Sequence, residues 1–149
     1  VLDTSRLLFE SLEADPVVIS PLPHLMARGQ ETILLVEDEL MVRVLARDVL
    51  LLQGYQVLEA DSARAVQLCQ SYDGVIALLL TDVVMPVISG RELAEKLAPL
   101  RPQMKVLYMS GYTDNVIVHH GVLKPGIAFL QKPFTPDGLV RKVRAVLDS

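Results

Sequence analysis

From Thr32 onward, short aliphatic runs suited to strands alternate five times with segments whose apolar residues recur at helical spacing. Nothing else in the chain constrains the fold as much. Parallel strands joined through helices need crossover connections, and right-handed crossovers lay helices on both faces of one sheet. "TILLV" leads to "MVRVLARDVLLLQG", where Met41, Leu45, Val49 and Leu52 share the apolar face and Gly54 stops the helix. "YQVLEA" leads to a helix capped by Ser62 and running to about Tyr72, with Ala65, Val66, Cys69 and Tyr72 turned inward. "VIALLLT" is apolar on both faces, as a central parallel strand is. Ser89 and Glu92 then make a capping box ahead of Leu93, Leu97 and Leu100. Pro102 marks the way into "MKVLYM", a weaker helical pattern runs from Thr113 to about Gly121, and "IAFL" is the fifth strand. Thr135 as cap and Pro136 at the first helical position open the last helix, whose stripe is Leu139, Val143, Val146 and Leu147. The prediction is an α/β domain, a five-stranded parallel sheet with helices on both faces.

Residues 1–30 break this rhythm. Asp15-Pro16, Pro21 and Pro23 interrupt regular structure and Gly29 closes the stretch, which reads as an N-terminal extension and linker ahead of a domain over 31–149. Within it, "DTSRLLFESLEA" suits a short helix that needs a partner to dock on. A chain beginning at Val1 rather than Met reads as a fragment or a processed product. Its 149 residues, 51% hydrophobic and 21% charged, suffice for one domain with a real core. A formal charge of −4 argues against direct binding of nucleic acid over a broad surface. No apolar run approaches the roughly 20 residues that cross a bilayer, and the N-terminus lacks the order of a signal peptide. Cys69, the lone cysteine, excludes an internal disulfide and lies in an apolar helical pattern, which points to a structural thiol and a cytoplasmic setting.

Ligands of such sheets bind outside the carboxyl ends of the strands. The first strand ends in Glu37 and Asp38, the third in Asp82, the fourth in Ser110, and Lys132 follows the fifth. With strands one, three, four and five as neighbours, three carboxylates, a hydroxyl and an ammonium converge. Two carboxylates about 4 Å apart repel by about 4 kcal/mol at an effective dielectric near 20, so three need more than one lysine. A divalent cation meets that need, and an all-oxygen donor set suits Mg²⁺ better than zinc. Taken singly, each acid reads equally well as the cap of the helix after its strand. A lysine before Pro133 and a hydroxyl before Gly111 are harder to read as caps. Cations and a hydroxyl around one carboxylate have the physics of a phosphoryl site.

The segments "LLVEDE", "LLLTDVVMP", "YMSGYTD" and "FLQKPF", in this order at strand ends, resemble the receiver domain of two-component response regulators. "GQETILLVEDE" and "AFLQKPFTPDGLVRKVRAVLD" are similar above all to receivers attached to hybrid sensor histidine kinases. The resemblance implies a flavodoxin-like fold with sheet order 2-1-3-4-5 and a signalling module rather than an enzyme. It implies that Asp82 accepts a phosphoryl group from a phosphohistidine on a histidine kinase or histidine phosphotransfer protein. Asp38, Asp82 and the Val84 backbone carbonyl would then bind Mg²⁺, and Glu37 would act through a metal-bound water. Lys132 would pair with a phosphoryl oxygen across a cis bond to Pro133. Ser110 and Phe129 would be the switch residues, acting on a face made by the fourth predicted helix, the fifth strand and the last helix. That face would also offer a surface for a homodimer, and no direct contact with nucleic acid or membrane is implied. Three departures from the usual family pattern stand out: Glu37 for aspartate, Ser110 for threonine, and Phe129 for tyrosine.

Other readings carry less. A small phosphohydrolase or phosphotransferase with an aspartate nucleophile needs a second acid beside it, and Val83 and Val84 do not supply one. A flavin-phosphate binder needs a Gly, Ser or Thr-rich loop after "TILLV", which is absent. His119 and His120 are adjacent on a predicted helix and point apart, so they read as a solvated helix end rather than metal ligands. Tyr112 follows the hydroxyl loop, either gating the acceptor or standing as a loop aromatic.

Overall fold

A computed structural model describes residues 29–111 and 127–149. The N-terminal extension, Tyr112, the helix predicted near Thr113–Gly121, and His119 and His120 lie outside the described residues. The strands are β1 (Thr32–Val36), β2 (Gln56–Ala60), β3 (Leu78–Asp82), β4 (Lys105–Ser110) and β5 (Phe129–Gln131). They form one parallel sheet of order β2-β1-β3-β4-β5. The described helices are α1 (Leu40–Leu52), α2 (Ala65–Ser71), α3 (Gly90–Leu97) and α4 (Pro136–Leu147).

Alternation along the strands builds two cores from one sheet. Ile33, Leu35, Leu78, Leu80, Leu107 and Met109 face α1 and α4, meeting Ala46, Leu50, Leu139, Val143 and Val146. Leu34, Val36 and Leu79 face α2 and α3, meeting Ala65, Cys69, Leu93 and Leu97. β1 and β3 are buried along their whole length, which is why both are almost wholly apolar; their polar positions, Thr32 at the start of β1 and Thr81 and Asp82 at the end of β3, are buried as well. Cys69 is a buried free thiol, as its apolar setting predicted.

Helix ends follow the local chemistry in most places. Ser89 accepts from the Glu92 N–H and Glu92 accepts from the Ser89 N–H, both at 3.1 Å, completing the predicted capping box. Thr135 Oγ1 accepts from Gly138 N–H at 2.9 Å behind Pro136. Gly54 turns the chain after α1 at φ 95°, a conformation open to glycine at little cost.

Three expectations need correction. Met41, Leu45 and Leu52 do not face the core: Met41 is 82% exposed, Leu45 and Leu52 are exposed too, and α1 packs through Ala46 and Leu50. So many residues of this helix are apolar that periodicity does not choose a face, and the small Ala46 lets α1 sit close to the sheet. Leu100 lies past the end of α3 and is exposed. Ser62 does not cap α2: Arg64 holds the N-cap position without a side-chain bond, and the Ser62 side chain goes elsewhere. Among the described residues, no helix is long and apolar enough to cross a membrane.

Candidate functional site at the carboxyl edge of the sheet

The strand order places β1, β3 and β4 side by side, so their carboxyl ends share one edge. Asp82 is the last residue of β3 and is opposite Met109 of β4, one residue before Ser110. Lys132 follows β5, and its backbone N–H donates to the Ser110 carbonyl at 2.7 Å, tying the lysine to the end of β4. The Lys132–Pro133 peptide bond is cis. Gly90 opens α3 directly behind the acceptor strand: its N–H donates to the Val83 carbonyl at 2.8 Å, and a Cβ there would overlap the Asp82 carbonyl oxygen.

Lys132 joins the two most buried acids among the described residues. Its Nζ donates to Glu37 Oε1 at 2.9 Å and to Asp82 Oδ2 at 3.0 Å. Glu37 is 1% exposed and Asp82 8%, so neither charge has bulk water to itself. Burial disfavours the ammonium, but the hydrogen bonds to Glu37 and Asp82 more than offset this and hold Lys132 above the ordinary lysine value. Glu37 is fixed on its other side as well: Oε2 accepts from the Glu39 N–H at 3.0 Å, and Arg43 donates to the Glu37 carbonyl at 2.7 Å.

Asp38 behaves differently. Its oxygens accept from the Ser62 N–H at 2.9 Å and the Ser62 hydroxyl at 3.1 Å. Among the described residues no group of three or more His, Cys, Asp and Glu is arranged to hold a metal ion. One ammonium bonds both Glu37 and Asp82, while Ser62 serves Asp38. The donor types at this edge are nonetheless all oxygen, the set that hard cations prefer.

The Ser110 hydroxyl is fully buried and has no hydrogen-bond partner among the described residues. Buried hydroxyls without partners are uncommon and call for an explanation such as an absent ligand. Val84 is exposed just after β3, and Phe129 is 37% exposed on β5, opposite Tyr108. The structure therefore brings together Glu37, Asp82 and Lys132, sets Ser110 beside them at the same sheet edge, and turns Asp38 toward the β2–α2 loop. Sequence reasoning missed three supporting residues: Ser62, read as a cap, Arg43, read only as part of α1, and Gly90, whose need for space depends on how α3 meets the end of β3.

A parallel sheet of this order, gathering acids, a lysine and a hydroxyl at its carboxyl edge, defines a flavodoxin-like module of the receiver type. The chain belongs to the response regulator receiver domain family, whose pattern it matches over residues 33–144. It is 33% identical over 121 residues to the sensor kinase CckA of Brucella abortus, covering 80% of this chain and 13% of that protein. It is 31% identical over 116 residues to the response regulator receiver protein CpdR of the same organism, covering 77% of this chain and 95% of that one. The crystal structure of the receiver domain from the hybrid histidine kinase CckA shares 33% identity and a TM-score of 0.65, covering 78% of this chain and 98% of that domain. The chain thus spans only a small part of CckA and nearly all of CpdR.

Proposed function

We propose that Asp82 is the phosphoacceptor of a two-component phosphorelay. A carboxylate oxygen of Asp82 attacks phosphorus in a partner's phosphohistidine; the P–N bond breaks, its electron pair stays with the imidazole, and an aspartyl phosphate forms. Later hydrolysis returns inorganic phosphate and the free carboxylate. Lys132, already bonded to Asp82, pairs with a phosphoryl oxygen. The Ser110 hydroxyl donates to another, which gives its buried oxygen the partner it lacks. This orphaned hydroxyl beside a bridged acid pair is the observation that carries the reading.

The oxygen-rich edge suits Mg²⁺, whose charge would offset that of the phosphoryl oxygens. Asp38, Asp82 and the Val84 carbonyl would hold it, with Glu37 acting through a water. A cation drawing Asp38 toward Asp82 would compete with its two hydrogen bonds from Ser62. Ser110 and Phe129 would form the switch: the hydroxyl loop is drawn inward on phosphorylation and the ring follows, remodelling the face around β5 and α4. That face would serve effector binding or homodimer formation.

For the donor we infer a histidine kinase or histidine phosphotransfer protein. Leu40, Met41 and Leu45 form an exposed apolar surface on α1. Beside it, a surface pocket lined by Val42, Leu45, Pro133 and Phe134 reaches Lys132. A partner's apolar side chains flanking its phosphohistidine would dock there, next to the acceptor. The likeness to CckA favours a receiver belonging to a hybrid kinase, working in the cytoplasm. A turnover enzyme is disfavoured by Val83 and Val84, which place no general acid after the nucleophile.

Incubation with Mg²⁺ and a small phosphoramidate, followed by intact-mass measurement, tests this reading. One added phosphoryl group is expected in the wild type and none in Asp82→Asn. Equal labelling of the two would reject Asp82 as acceptor.

A further inference from the structure

Ser62 holds both oxygens of Asp38. Its N–H donates to Oδ1 at 2.9 Å and its hydroxyl to Oδ2 at 3.1 Å. The residue is buried, in the turn between β2 and α2. That turn is closed by Arg64 N–H, which donates to the Asp61 carbonyl at 3.2 Å and to Asp61 Oδ1 at 3.1 Å. Nor does Ser62 cap α2, whose N-cap position belongs to Arg64. Two donors of one residue are therefore aimed out of a self-closed turn at a single carboxylate, and that carboxylate is the acid absent from the group around Lys132.

We propose that Ser62 is a positioning residue that clasps Asp38 away from the acid pair and releases it when a divalent cation binds, so that the β2–α2 loop helps set metal affinity. The inference builds on the reading of the site above and deepens it. In the clasped state each Asp38 oxygen accepts one hydrogen bond from Ser62, and the described residues hold no group of three acids arranged around a metal. A cation that recruits Asp38 must compete with the clasp. Hydrogen bonds to charged groups are strong enough that losing the hydroxyl bond alone is worth about tenfold in metal affinity. The β2–α2 loop, on the opposite side of β1 from β3 and β4, thereby senses occupancy of the site.

The test is Mg²⁺ titration of the full chain by calorimetry, using wild type, Ser62→Ala, Ser62→Thr and Asp38→Asn, with unfolding midpoints measured alongside. Ser62→Ala is expected to bind Mg²⁺ about tenfold more tightly than wild type. Ser62→Thr, which keeps the hydroxyl, is expected to restore wild-type affinity. A change in stability alone would not produce this pattern. Independently of any variant, hydrogen exchange at the Ser62 amide should accelerate at saturating Mg²⁺; unchanged exchange overturns the clasp. Equal or weaker binding by Ser62→Ala, with binding lost in Asp38→Asn, overturns the clasp while leaving the metal site standing. Wild-type binding by Asp38→Asn overturns both.

Discussion

Replacing Lys132 by methionine keeps an unbranched apolar stem and deletes the charge between Glu37 and Asp82. The ammonium is 2.9 Å from Glu37 Oε1 and 3.0 Å from Asp82 Oδ2, so those two oxygens are no farther apart than the sum of these distances. At that separation and an effective dielectric near 20, two unit charges repel by about 3 kcal/mol. Glu37 has no escape to solvent, being 1% exposed and held from behind by the Glu39 N–H. Removing one member of a buried ion pair costs about 3–5 kcal/mol, and burying one fewer ammonium returns part of that. The expected loss for Lys132→Met at pH 7 in EDTA is about 3 kcal/mol, a fall of roughly 10 °C in the unfolding midpoint.

Urea unfolding followed by circular dichroism measures this, and pH gives the decisive control. In the variant the crowded pair takes up a proton more readily than the same carboxylates do in the unfolded chain. Acidification then favours the folded variant relative to wild type, and the stability gap narrows as the pH falls toward about 4, where carboxyl groups begin to protonate. Added Mg²⁺ should also stabilise the variant more than the wild type, because it replaces the missing positive charge. Equal midpoints at pH 7 in EDTA, or a gap that stays constant on acidification, would refute the assignment of Lys132 as the counter-charge of this pair.

Two further predictions concern the scaffold. Arg144 donates to Glu31 at 2.8 Å and to Tyr55 at 3.3 Å, tying α4 to the start of β1. The Arg144 hydrogen bond, opposed by burial, brings the Glu31 carboxyl down from 4.5 to about 2, so its contribution is present above about 4.5 and fades as the pH falls toward 2. The full displacement corresponds to about 3 kcal/mol, but the side chain is 33% exposed and solvent screening reduces this to about 1 kcal/mol. Glu31→Gln should therefore lose that amount at pH 7 and match wild type near pH 2 in urea unfolding; a gap independent of pH would contradict it. For Gly90→Ala, the new methyl would meet the Asp82 carbonyl oxygen, a backbone atom that no rotamer change can move. We expect a loss of about 2 kcal/mol or more in the same assay together with weaker phosphoryl labelling of Asp82, and wild-type values for both would show that α3 does not set the acceptor's position.

How much of this was legible in the sequence follows from which interactions are local in the chain. Strand positions, the Ser89–Glu92 box and the Thr135 cap depend on residues a few places apart, and all of them formed. The gathering of Glu37, Asp82, Ser110 and Lys132 at one edge is long-range: parallel strands send all their carboxyl ends to the same side, but the order that makes these strands neighbours came from the family resemblance and not from the spacing. What the sequence did not show was the fine orientation set by packing. The exposed face of α1 was invisible because apolar residues surround the whole helix, and only docking against the sheet selects Ala46 and Leu50. Ser62 looked like a cap because serine before a helix usually is one. Its actual partner, Asp38, is 24 residues away and becomes a neighbour only through the pairing of β1 with β2. The pairing that brings Ser62 to Asp38 adds two neutral donors at this edge, which a count of charges along the chain does not include.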